Sequence, residues 1–118
     1  MHQSRVAFML AVAAGLIVSH GAAVAASAAN GKAAFIKHGC WQCHGFEGQG
    51  SVASSGGKVL AHTQIPEEAF VAFVRSTNRA MPPFSEKIVS DADLADIYAY
   101  LQSVPKPADP NTIKLLNP

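Results

Sequence analysis

Disulfide bonding offers this chain almost nothing, because its only two cysteines, Cys40 and Cys43, stand two residues apart. A bridge over so short a gap closes almost no loop and adds little stability. Excess charge is missing as well: nine Lys and Arg stand against eight Asp and Glu, a formal net charge of +1. Nucleic-acid binding needs a clustered positive surface, so that class of partner is excluded. No apolar run reaches membrane-spanning length. The main one, Val6 to Val18, has 13 residues, against the roughly 20 that cross a bilayer. Strand-like alternation of useful length is also absent, and so are internal repeats.

What the first residues do contain is a leader pattern. Arg5 precedes the apolar run, and small residues crowd Gly21 to Ala29. A positive start, an apolar centre and a small-x-small cleavage site make a secretory signal peptide. Ala23-Val24-Ala25 and Ala26-Ser27-Ala28 both satisfy the rule, which places the cut between Ala25 and Ala28. The organisation expected is a signal peptide over 1–28, one domain over 29–104 and a proline-containing tail over 105–118, exported to the periplasm with no lasting membrane insertion. Cleavage removes Met1, Met9, His2, His20 and Arg5. Met81 is then the one remaining methionine, the histidines are His38, His44 and His62, and charge is balanced. A mature domain this small buries a limited core and needs a covalent or metal-based staple.

Three short helices are expected, joined by long loops. The first runs from about Asn30, a good N-cap, to Gly39. The second runs from about Pro66 to Thr77, with Glu67 and Glu68 at the positive end of its dipole and an apolar stripe of Phe70, Phe73 and Val74. The third starts at the cap Ser90 with Asp91 and Asp93 in its first turn. It repeats Leu94, Ile97, Tyr98 and Leu101 at helical spacing and stops at Pro105. Between the first two, Gly45, Gly48, Gly50, Gly56 and Gly57 mark a loop running close to something bulky. A second loop over Asn78 to Lys87 is stiffened by Pro82 and Pro83. The fold class is all-α.

Cys40-Trp41-Gln42-Cys43-His44 is C-x-x-C-H, the attachment sequence for c-type haem. Two thiols at this spacing can add to the two vinyl groups of the porphyrin, and the adjoining imidazole can then ligate the iron. A thioredoxin-like redox pair would need a βαβ setting that the chain lacks. A zinc site would need a second ligand pair beside His44. Trp41 reads either as a contact for a partner at the haem edge or as packing on the porphyrin. Met81 is the candidate sixth ligand: a thioether raises the reduction potential, and Pro82 limits movement of the loop that presents it. His62 is a rival for that role, whereas His38 lies too near the attachment site to reach the opposite face.

These features together resemble the class I c-type cytochromes: Gly31 and Phe35 on the first helix, Cys40 to His44, the helix from Pro66, Met81-Pro82, and Tyr100-Leu101. The resemblance covers Asn30 to about Val104. It implies loops wrapped round one covalent haem c, with His44 and Met81 on the iron. It also implies that the first and last helices cross at Gly31, with Phe35 packed against Ile97 and Tyr100. The chain departs from many relatives in having no proline between His44 and Pro66 to support the haem-binding loop. Lys58, Arg75 and Arg79 are the basic candidates for the haem propionates.

Filling both axial positions leaves none for substrate, so the expected function is one-electron transfer rather than catalysis. The donor expected is an exported dehydrogenase, with a downstream oxidase or cytochrome as acceptor. A freely diffusing shuttle to a terminal oxidase is the alternative, although balanced charge disfavours strong electrostatic steering. A ligand-binding or sensory haem protein would need an open sixth position. The apolar cluster of Ile113, Leu115 and Leu116 is expected to be covered, either by this domain or by a partner.

Overall fold

The computed structural model describes residues 25–51 and 56–117. Most of the expected signal peptide, residues 1–24, lies outside the described residues. Four α-helices follow one another: α1 (Ala28–Lys37), α2 (Trp41–His44), α3 (Glu67–Ser76) and α4 (Asp91–Ser103). Two 3-10 turns, Pro110–Thr112 and Lys114–Leu116, complete the order. No strand occurs among the described residues, and the chain is all-α. No helix among them is long and apolar enough to cross a membrane.

The start of α1 corrects the sequence reading. Ser27, not Asn30, is the N-cap: its Oγ accepts the Asn30 N–H at 3.3 Å. A second tie runs across the fold, because the Ser27 N–H donates to the Asp96 carboxylate at 2.6 Å. The helix therefore begins at Ala28, with Asn30 inside its first turn. The other boundaries follow the local chemistry closely. Ser90 caps α4 by accepting the Asp93 N–H at 3.0 Å, and α4 ends at Ser103 with Val104 as its C-cap, directly before Pro105.

The frame of the molecule is the crossing of α1 on α4. At Gly31 the two backbones meet so closely that a Cβ would lie 1.8 Å from the Asp96 carbonyl oxygen. No side chain fits there. Phe35 is fully buried beside this crossing, with its ring 5.8 Å from that of Tyr100 and tilted to it. Ile97, Leu101 and Leu94 of α4 are buried in the same cluster. Burying side chains of this size stabilises the fold by about 1.5–3 kcal/mol each.

The third helix closes one side of that core through Phe70 and Val74, and Phe70 packs against the Tyr98 ring at 5.5 Å. Phe73 does not join them and is 53% exposed. Residues four apart share a helical face, and Phe73 is turned away from the line joining Phe70 to Val74. The tail is organised locally. Asp109 caps its first turn by accepting the Asn111 N–H at 2.9 Å, and the Asn117 amide donates to the Pro110 carbonyl at 2.7 Å. Leu115 and Leu116 are 90% and 61% exposed, so this domain does not cover them.

Candidate functional site

The site begins where α1 ends. The N–H groups of His38, Gly39 and Cys40 return to the carbonyls of Ala34, Ile36 and Phe35, which turns the chain tightly into α2. The one turn of α2 then presents Cys40, Cys43 and His44 in succession, with Cys40 as its N-cap. Neither cysteine is in a disulfide. The His38 ring is already committed, because its Nε2–H donates to the Asp93 carboxylate at 3.0 Å.

The glycine-rich loop folds back onto α2. The His44 Nδ1–H donates to the Lys58 carbonyl at 2.8 Å. Beside this contact Gly57 lies against the Cys43–His44 peptide, where a Cβ would stand 1.7 Å from the Cys43 carbonyl oxygen. The Gly50 N–H bonds the His44 carbonyl at 2.8 Å, and the Leu60 and Ala61 N–H groups both return to the Gly48 carbonyl. A backbone carbonyl thus supports His44 where no proline is present. The carbonyl that orients an imidazole fixes which ring nitrogen carries the proton and which is left to ligate.

Above the cysteines, Trp41 stacks on Phe46 with ring centroids 4.5 Å apart. The Phe46 carbonyl accepts the Tyr100 hydroxyl at 2.9 Å, which ties this turn to α4. Burial first, and then the nearby Glu47 charge, pushes the Tyr100 phenol upward, so it remains a donor. Burial also pushes the Cys40 thiol up, against a smaller opposing pull from a backbone hydrogen bond. A redox-active C-x-x-C pair needs a lowered thiol, so this environment counts against the thioredoxin-like reading. Among the described residues no group of three or more His, Cys, Asp or Glu stands together as a metal-ligand set.

Met81 sits half-buried on the loop after α3 and packs against the main core, as Cys40 does. Its carbonyl accepts the Thr77 hydroxyl at 3.3 Å, and Thr77 is itself buried. His62 lies on the other loop, near the start of the tail, with Glu47, Gln49, Val104 and Pro105. Its backbone takes a φ of +56° and its N–H donates to the Leu101 carbonyl at 2.9 Å. The His62 Nε2 is buried without a partner among the described residues. Of the three basic residues considered for propionates, Arg75 is spent elsewhere: it bonds the Phe84 carbonyl at 2.8 Å and pairs with Asp91.

Sequence reasoning names Cys40, Cys43, His44 and Met81 as candidates but does not reveal what holds them in place. The Lys58 carbonyl and the Gly57 contact involve backbone, which carries no side-chain signature. The cluster of glycines was the one available hint.

Comparison with known proteins gives two findings. Residues 26–101 match the family model described as cytochrome C oxidase, cbb3-type, subunit III. The 4-cresol dehydrogenase (hydroxylating) cytochrome c subunit of Pseudomonas putida is 38% identical over 95 residues, which is 80% of this chain and 78% of that one. No solved structure matches the chain.

Proposed function

The chain belongs to the cytochrome c family described as cytochrome C oxidase, cbb3-type, subunit III, and on that premise we propose that it carries single electrons on one haem c, bonded through Cys40 and Cys43, with His44 and Met81 as the axial iron ligands. Cytochrome c domains bind haem c, and the residues here suit that group. The observation that carries the reading is the 2.8 Å bond from His44 Nδ1–H to the Lys58 carbonyl. It keeps the proton on Nδ1 and leaves the Nε2 lone pair available to a metal. Gly57 maintains the close approach that makes this bond possible. When bound, the haem supplies an iron that gains and loses one electron. The protein's part is to hold both axial side chains still and to keep water out. With two side-chain ligands no position is left for substrate, which suits an electron carrier rather than a catalytic subunit.

Intact mass of the protein purified from its own host tests this directly. The mass expected is that of the mature chain plus one haem, and the haem should stay attached through denaturation. Haem that dissociates in denaturant would overturn the covalent assignment.

The same measurement reads the export signal. We place the cut after Ala25, which directs the chain to the periplasm beginning at Ala26. That start preserves Ser27, whose hydroxyl caps α1, whose N–H bonds Asp96 and whose carbonyl receives the Gly31 N–H. A cut after Ala28 would delete all three bonds. The mass should therefore correspond to a chain starting at Ala26, and a start at Ala29 would refute this.

For the electron donor we favour a periplasmic dehydrogenase over a freely diffusing role, because the Pseudomonas putida relative is the cytochrome c subunit of a dehydrogenase. An oxidase or another cytochrome would then take the electrons onward. The exposed Leu115 and Leu116 supply an apolar contact for that docking. Truncation after Val104 should leave the haem spectrum and the potential unchanged and weaken binding to the purified dehydrogenase about ten-fold, as loss of a small apolar contact does. A lowered melting temperature with unchanged affinity would instead assign the tail to the cytochrome itself.

A further inference from the structure

We propose that Arg75 is a positioning residue for Met81, clamping the loop that presents the thioether; the inference rests on Met81 being an axial ligand. Arg75 stands in the last turn of α3 with its side chain 21% exposed. One arm of the guanidinium donates to the Phe84 carbonyl at 2.8 Å, and the other pairs with Asp91 in the first turn of α4. The Phe84 N–H is held too, donating to the Val74 carbonyl at 3.0 Å. Both backbone groups of Phe84 are therefore fastened to α3, and Arg75 extends the attachment to α4.

What passes this constraint to Met81 is the pair of prolines between them. Pro82 and Pro83 each lock φ near one value, and each also restricts the residue before it. The segment from Met81 to Phe84 consequently behaves as a stiff strut, so fixing Phe84 fixes the direction in which Met81 projects. At the other end of the loop, the buried Thr77 hydroxyl bonds the Met81 carbonyl. The strut is held at both ends. A fork-shaped cation suits this task because it satisfies a carbonyl and a carboxylate together, which a lysine ammonium does less well.

The clamp predicts how readily Met81 leaves the iron. Displacing it requires the loop to open, and opening breaks the Arg75 bonds; removing them in advance raises the open population. The experiment adds free imidazole to the oxidised haem-loaded protein and follows loss of the long-wavelength methionine–iron charge-transfer band. Wild type should show the band and Met81→Ala should lack it. Arg75→Ala should lose it about ten-fold faster than wild type, the scale of one charge-assisted hydrogen bond. Asp91→Asn, at a largely exposed site and leaving the Phe84 bond in place, should give a smaller increase and serves if Arg75→Ala does not load haem. Wild-type displacement rates in the variants that load, even with lower melting temperatures, would overturn the clamp while leaving Met81 as ligand. Absence of the band from wild type would overturn both.

Discussion

Replacing Cys40 and Cys43 together with alanine should leave the chain without covalent haem and largely unfolded. The polypeptide's own core is confined to one face of α1, two residues of α3, Val89 and the inner side of α4. Among the described residues, neither the glycine-rich loop nor the loop over Asn78 to Lys87 adds a side chain to the fully buried set. What the described part of the glycine-rich loop has instead is a set of single hydrogen bonds, from His44 to Lys58, Gly50 to His44 and Leu60 to Gly48. Each contributes only about 0.5–1.5 kcal/mol net, too little to order a loop against its entropy of roughly 1–2 kcal/mol per residue. Small domains of this kind depend on a staple, and the attached porphyrin is the one proposed here. Far-UV circular dichroism of the double variant should show most helical signal lost at ambient temperature. A wild-type helical spectrum in the haem-free variant would show that the chain folds without its cofactor.

Met81→Ala should lower the reduction potential, abolish the methionine–iron band and allow carbon monoxide to bind the reduced protein. A thioether ligand favours reduced iron, so its removal makes reduction harder. Haem attachment should persist, because Cys40, Cys43 and His44 stand on a separate helix with their own supports. Spectroelectrochemistry and a carbon monoxide difference spectrum measure all three effects. A wild type that lacks the methionine–iron band, with a potential that the Met81→Ala change does not move, would pass the ligand role to His62. That residue would then have to leave a position where its N–H is held by the Leu101 carbonyl and its ring lies beside Val104 and Pro105.

Side chains that act on their own segment were legible in the sequence, and contacts between segments were much less so. Ser90, Asp91 and Pro105 announce α4 because capping and helix termination are local, and both ends fell where expected. Ser27 was overlooked because it lies in a run of small residues that also reads as a cleavage site. The feature that distinguishes it is a bond to Asp96, 69 positions away. Phe73 was placed with Phe70 and Val74 by a periodicity that does not specify how wide the buried face is. The crossing at Gly31 was available only through resemblance to a family, since a glycine four residues before a phenylalanine predicts no contact by itself. In the sequence Arg75 is a candidate for the haem propionates, because its actual acceptors are a carbonyl nine residues on and a carboxylate in the next helix.

The crossing of α1 on α4 has a consequence for how this molecule breathes. The helices that meet there lie at opposite ends of the folded domain, so the chain between them forms a closed ring whose clasp is the Gly31–Asp96 contact. Closing a ring of this size costs entropy once, and lengthening or shortening it changes that cost only slowly. With the clasp shut, the segment carrying Lys58 and the segment carrying Met81 are separate arcs of that ring, on either side of α3. The amides of α1 and α4 should then exchange with solvent only when the whole domain unfolds. Those of the arcs should exchange through smaller openings of lower free energy, as hydrogen-exchange mass spectrometry would measure. On the proposed ligation, exchange of Met81 would then call for opening one arc rather than melting the whole fold.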